Sequence, residues 1–354
     1  LQNLTHRQCL ALDLTWKPTR QVRGCVVYDA SEINNLNKIL KISRNKFSTK
    51  NIPASVARQL KAHPHGLFCL RQTWHSIERN DYRLLKLLEQ EIPLIASTSS
   101  NKDKSWYLTP NGNQVASEIA IATASLGLKT LIFTQSIRFC TSATKKLNDS
   151  LKVAELSLTK EEKRLYNRAI DEIGGDEWLY LQLSESGKVS ASSVCHHGLL
   201  LPMERQLHES LFKRPDGVNV LVATSTLAQG MNLPSEVVII NGDKRFEPNA
   251  NRMEQLQASE LLNAAGRAGR AGENSYGFVL VVPSKVVYFD NQKNNIHQHW
   301  AELRNIFSQS DQCIDIDDPL TRLLDQISTS NGEIHEMASY LVSRLPIDLE
   351  NSNS

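Results

Sequence analysis

The sequence predicts an α/β protein in which a parallel sheet is flanked by helices. Three features point there. Short apolar segments of strand length alternate with helical patterns through most of the chain, as strand–helix–strand crossovers require. Several strand segments are short runs of β-branched residues, such as Val237 to Ile240, the pattern of strands covered on both faces. Finally, 40% hydrophobic and 22% charged residues over 354 positions are enough to bury a sizeable core.

Taken in order, strands are expected at Arg23–Tyr28, Leu67–Trp74, Pro93–Ala96, Thr130–Thr134, Ser192–Cys195, Val218–Ala223, Glu236–Ile240 and Tyr276–Val282. Helical periodicity marks Asn113–Leu126, Ile137–Leu147, Pro202–Phe212 and Ser259–Ala268, with Asn113 placed to cap the first and Pro202 suited to the first turn of the third. Leu158–Leu183 reads as an inserted helical pair broken at Gly174 and Gly175. After Pro283 the strand pattern stops, and the chain from Ile296 onward reads as mainly helical.

Charge is balanced only in total. The 40 Lys and Arg against 38 Asp and Glu leave +2, yet the segment from Asp311 to the end carries −7, so the preceding 310 residues carry +9. A dense basic stretch runs from Ser31 to Ala62 (Lys38, Lys41, Arg44, Lys46, Lys50, Arg58 and Lys61 against Glu32). A basic body fits a polyanion partner, while the same stretch also suits a solvated helical face. The six cysteines form no CxxC pair, which argues against a zinc ribbon or a secreted disulfide framework. Apolar runs stop far short of the roughly 20 residues of a bilayer span. A cytoplasmic protein with no membrane partner is expected. His63, His65, His297 and His299 lack acid or Cys neighbours at ligand spacing and read as surface histidines.

Two segments carry the chemistry. In Val220-Leu-Val-Ala-Thr-Ser-Thr-Leu-Ala-Gln-Gly-Met-Asn-Leu-Pro234, a buried strand ends at Ala223, hydroxyls follow at Thr224, Ser225 and Thr226, and Gly230 with Asn232 makes a turn. Ligands of open α/β sheets sit at the carboxyl ends of strands, where hydroxyls and a permissive Gly suit phosphate and ribose; an ordinary capped helix after a strand would read alike. In Glu260-Leu-Leu-Asn-Ala-Ala-Gly-Arg-Ala-Gly-Arg-Ala-Gly272, small residues leave Arg267 and Arg270 projecting three apart, on one face if helical. Arg suits this work because its planar fork stays charged and grips phosphate oxygens in pairs.

In this order, about 35 residues apart, the two segments resemble the fifth and sixth motifs of superfamily 2 helicases. Cys195-His-His-Gly-Leu199, Glu204-Arg205 and the Gly-Met-Asn-Leu-Pro ending resemble the Ski2-like branch, and Thr130-Leu-Ile-Phe-Thr-Gln-Ser136 with Arg138 is similar to the fourth motif. The resemblance covers about Thr130 to Pro283. It implies a second RecA-like (P-loop NTPase-type) domain with a helical insertion and a helical C-terminal extension. It also implies Arg267 and Arg270 as arginine fingers on a γ-phosphoryl group, and an ATP cleft lined by Gly230, Asn232, Asn263 and Gly266. Ser136, Arg138, His197, Thr224, Ser225 and Thr226 would contact single-stranded or partly duplex nucleic acid, largely through its backbone.

The family's sixth motif opens with Gln where this chain has Asn263, its Gly-Val-Asn is Gly-Met-Asn, and its His-His-Ala-Gly lacks the Ala. No Gly-Lys-Ser/Thr loop or Asp-Glu box is present, since Gly187-Lys188 is followed by Val. The expectation is therefore a motor half that uses ATP, with Mg2+ held mainly by a first RecA-like domain in the same chain or a partner subunit; the opening Leu fits a chain that continues upstream. The competing reading is a non-hydrolysing nucleic-acid-binding or regulatory module. The expected organisation is a crossover and first strand in 1–29, a basic insertion in 30–109, the RecA-like domain in 110–290 and an acidic helical extension in 291–354.

Overall fold

The computed structural model describes residues 20–47, 52–70, 81–99, 105–151, 155–224, 233, 235–247, 252–256, 276–290, 293 and 295–307. Ten strands form its main sheet: β1 Arg20–Asp29, β2 His65–Cys69, β3 Tyr82–Lys86, β4 Thr130–Thr134, β5 Ser193–His196, β6 Val220–Thr224, β7 Val237–Asn241, β8 Tyr276–Val282, β9 Tyr288–Asp290 and β10 Asn295–Ile296. Six run parallel in the order β5-β6-β4-β7-β8-β1. On the other edge of β1, β2 and then β3 add antiparallel. Part of the 30–109 segment thus extends the same sheet. Beyond β8, β9 runs parallel beside Tyr28 and Asp29, and β10 folds back on it.

The β-branched runs are buried on both faces, and alternate residues feed two cores. Leu131, Phe133, Val238, Ile240, Val279 and Val281 point to one. Ile132, Val237, Ile239, Leu280 and Val282 point to the other. Helices α1 (Ala30–Lys46), α3 (Gly112–Ser125) and α4 (Ile137–Ser150) cover the second face. Helices α5 (Lys160–Ile173), α6 (Pro202–Lys213) and α7 (His299–Phe307) cover the first. A one-turn α2 spans Ala54–Ala57. The result is a three-layer α/β domain with helices on both sides of a mostly parallel sheet, as the sequence predicts.

Several local expectations are corrected. Helix α3 starts one residue before Asn113, so Asn113 caps nothing and its Nδ2 instead donates to Ser142 Oγ at 3.1 Å. The expected helical pair is one helix: Gly174, at φ 90°, ends α5, and a 3-10 turn over Asp176–Trp178 follows. Strand pairing resumes after Pro283 as β9 and β10. His63 does have an acid partner, its Nδ1 lying 2.8 Å from Glu32 Oε1. The strand expected at Pro93–Ala96 is split between two short ribbons, Lys61–Ala62 with Ile92–Pro93 and Ile95–Thr98 with Trp106–Thr109, whose partner strands carry too few apolar alternations to stand out in the sequence. The expected helix at Ser259–Ala268 and most of the C-terminal extension lie outside the described residues.

Helices α5 and α6 are tied by a buried ion pair. Glu162, with 1% side-chain exposure, closes a capping box with Thr159 and accepts from Arg214 Nη1 at 2.7 Å and from Ser210 Oγ at 2.9 Å. Removing one member of such a pair strands the other charge without water. Arg214→Ala is expected to lower unfolding free energy by roughly 3 kcal/mol in urea titration, where an exposed ion pair would be worth under about 1 kcal/mol.

Candidate functional site

Because β6, β4, β7 and β8 pair in parallel and in step, their carboxyl ends form a line. Thr224 lies opposite Thr134, Thr134 opposite Asn241, and Asn241 opposite Val282. Three polar side chains thus end adjacent strands at the rim where ligands of such sheets bind. Asn241 belongs to no motif singled out in the sequence, and Thr134, though inside the stretch similar to the fourth motif, is not among the residues picked out from it. Their position at the ends of β-branched runs flanking Thr224 was the available signal.

The chain leaves this rim in tight turns. Thr134 Oγ1 donates to the Ser136 carbonyl at 3.2 Å, and Ser136 Oγ accepts from the Phe139 N–H at 3.2 Å, capping α4. Arg138 sits exposed in that first turn, so a cation lies at the positive end of a 14-residue helix. Gly242 turns with φ 95°, its carbonyl accepting from Gln135 Nε2 at 3.3 Å and its N–H reaching the Val282 carbonyl at 2.8 Å. Gly112, opening α3, packs so closely on the Asn241 side chain that a Cβ would collide with it.

At the next strand end, Cys195-His-His divides into separate jobs. His196 Nε2 lies 3.1 Å from Glu209 Oε1. His208 Nδ1–H donates to the Cys195 carbonyl at 2.6 Å, and burial lowers its pKa to about 4, leaving the ring neutral. The His197 side chain is fully buried, edge-on to Tyr180 with ring centroids 4.9 Å apart, and burial lowers its pKa. Glu204 fixes the surround, accepting from the Tyr180 N–H and the Leu201 N–H, each at 3.0 Å. Among the described residues, no group of His, Cys, Asp or Glu could hold a metal ion.

The structure therefore brings Ser136, Arg138 and Thr224 to one rim and places His197 beneath the surface beside it. Ser225, Thr226, Gly230, Asn232, Asn263, Gly266, Arg267 and Arg270 lie outside the described residues. The two segments that contain them leave from the rim: 225–232 follows β6, and 257–275 follows a ribbon of Lys244–Glu247 paired with Arg252–Gln255. Among the described residues, the carboxylates just after β1 and β7 are both engaged. Asp29 caps α1 through the Ser31 N–H at 2.7 Å. Asp243 accepts from the Ser284 N–H at 2.6 Å and lies 2.9 Å from His299 Nε2. His299, expected at the surface, is 1% exposed because this partner and α7 enclose it.

A mostly parallel sheet with a hydroxyl and amide rim defines an α/β domain of the class that takes ligands at its strand ends. Residues 176–272 match the family model described as "Helicase conserved C-terminal domain". The chain is 42% identical over 87 residues to "Antiviral helicase SKI2" of Saccharomyces cerevisiae, covering 25% of this chain and 6% of that protein. It is 38% identical over 89 residues to the human "U5 small nuclear ribonucleoprotein 200 kDa helicase", covering 25% and 4%. A longer match, 27% identical over 203 residues, joins it to "mRNA transport homolog 4" of Caenorhabditis elegans, covering 56% and 19%. The chain thus carries a region similar to the carboxyl-terminal domain of helicases. It spans under one-fifth of the length of these relatives.

Ser136→Ala is expected to remove the α4 cap at a cost of about 1 kcal/mol in unfolding free energy, and Ser136→Asp, which keeps a capping oxygen, to recover most of it.

Proposed function

We propose that this chain supplies the second motor domain of an ATP-dependent nucleic-acid helicase or translocase. The observation that carries the reading is the in-step rim of Thr224, Thr134 and Asn241, from which both helicase-like segments emerge within the region matching the helicase domain. Gly230, Asn232, Asn263 and Gly266 would line the nucleotide side, and Arg267 and Arg270 would meet charge on the γ-phosphoryl group as it transfers. Bound ATP supplies the phosphoryl group, and Mg2+ would be held mainly by a first RecA-like domain, in the same chain or a partner subunit. Engagement of Asp29 and Asp243 within the fold supports that division of labour.

On the other side of the rim, Ser136, Arg138, Thr224, Ser225 and Thr226 would hold the backbone of one strand, with His197 supporting the surface from beneath. Backbone contacts make binding tolerant of sequence and sensitive to salt. No described helix is long and apolar enough to cross a membrane. The four described cysteines are free and buried, which supports a cytoplasmic setting.

In a motor assembled with its first domain, Arg270→Ala is expected to lower strand-stimulated ATP turnover by roughly three to five orders of magnitude, with strand affinity largely kept. Unchanged turnover would remove the finger assignment and favour a non-hydrolysing binding module. Ser136→Asp, which keeps the cap but adds a negative charge, is expected to weaken single-strand binding and flatten its salt dependence; equal affinity at low and high salt in the wild type would exclude backbone contact.

A further inference from the structure

We infer that His299 is a positioning residue, clamping α7 to the foot of the ribbon that leads into the arginine-bearing segment through simultaneous hydrogen bonds to Asp243 and Glu302. The inference rests on the role proposed above for Arg267 and Arg270. Asp243 is fully buried in the loop after β7 and is the junction of three ties. Its carbonyl accepts from the Leu256 N–H at 2.9 Å, closing the Lys244–Gln255 ribbon where residues 257–275 begin. Its Oδ1 accepts from the Ser284 N–H at 2.6 Å, joining the loops after β7 and β8. Its Oδ2 lies 2.9 Å from His299 Nε2.

The other ring nitrogen, Nδ1, lies 2.6 Å from Glu302 Oε2 on the next turn of α7. Both ring nitrogens facing carboxylate oxygens require both to donate, which only the imidazolium can do. Among the described residues, the other charged and titratable groups acting here include His297, whose Nδ1 accepts from the His299 N–H at 3.2 Å, Lys285 acting on His297, and Cys25 on β1 near Asp243. Burial opposes the charge on His299, but Asp243 and then Glu302 outweigh it and raise its pKa. Burial likewise pushes Asp243 up, and the bonds from His299 and Ser284 hold it well below the usual range. A raised His and a depressed Asp define the window. The double clamp is complete above the ordinary Asp value of about 3.9 and below the ordinary His value of about 6.5, and it loses one of its two bonds as pH climbs through the raised pKa of His299.

The test combines two readouts. In this chain, amide exchange of Leu256 and of the ribbon, corrected for intrinsic rates, is followed from about pH 5.5 to about pH 8.5. Wild type should be protected at the low end and lose protection as pH rises. His299→Gln should exchange about tenfold faster at the low end with no pH response, and Glu302→Gln, altering a half-exposed side chain, should move the release to lower pH. In the motor assembled with its first domain, His299→Gln should lower kcat about tenfold, leave KM for ATP within about twofold and flatten the alkaline limb of the pH profile. Wild-type exchange in His299→Gln overturns the clamp. Lost protection with unchanged kcat overturns the positioning role. If Arg270→Ala also leaves turnover unchanged while the exchange arm behaves as expected, it is the proposed function that fails, and the clamp then has no arginine to position.

Discussion

The structure depends on one constraint: the parallel strands β6, β4, β7 and β8 are locked in step by side chains buried on both faces. A one-residue slip in any of them would carry its apolar residues to the wrong core and move the residue at its carboxyl end off the rim. Leu131 and Phe133 must meet α5 and α6 while Ile132 meets α3 and α4. The same alternation that fills the cores delivers Thr224, Thr134 and Asn241 together. Packing and ligand geometry are here a single requirement.

What leaves the rim is held by smaller devices. Ser136 and Gly242 turn the chain, and the bond from Gln135 Nε2 to the Gly242 carbonyl ties the β4 and β7 exits together. The polar groups buried behind them stabilise shape rather than offer chemistry. Glu204 and Glu162 satisfy backbone amides, His208 is held neutral by burial, and Asp243 is occupied by His299 and Ser284. Charge available to a polyanion lies outward, on groups such as Arg138 and the exposed lysines of α1.

The parts of this architecture legible in the sequence were those written in local patterns. Short apolar runs containing β-branched residues mark β4, β6, β7 and β8, and Pro202 marks the start of α6. The helicase-like motifs pointed to Thr224, Ser136 and Arg138. The misses follow from distance or from weak local signals. Asp243 and His299 are 56 residues apart, and nothing near either one names the other. Thr134 and Asn241 gain meaning only through register with Thr224. Asn113 suits a cap because Asn is a good one, yet the helix already starts at Gly112, which packs closely on Asn241.

Under the proposed function, the carboxyl rim of this sheet faces the nucleic acid. Amide exchange measured with and without a single-stranded oligonucleotide tests it most directly. Slowed exchange at residues 134–139, 196–199 and 224, with no change at the opposite end around 124–128, 191–192 and 217–219, is the predicted result. Protection confined to the opposite end, or bound oligonucleotide that leaves the rim unprotected, would contradict it.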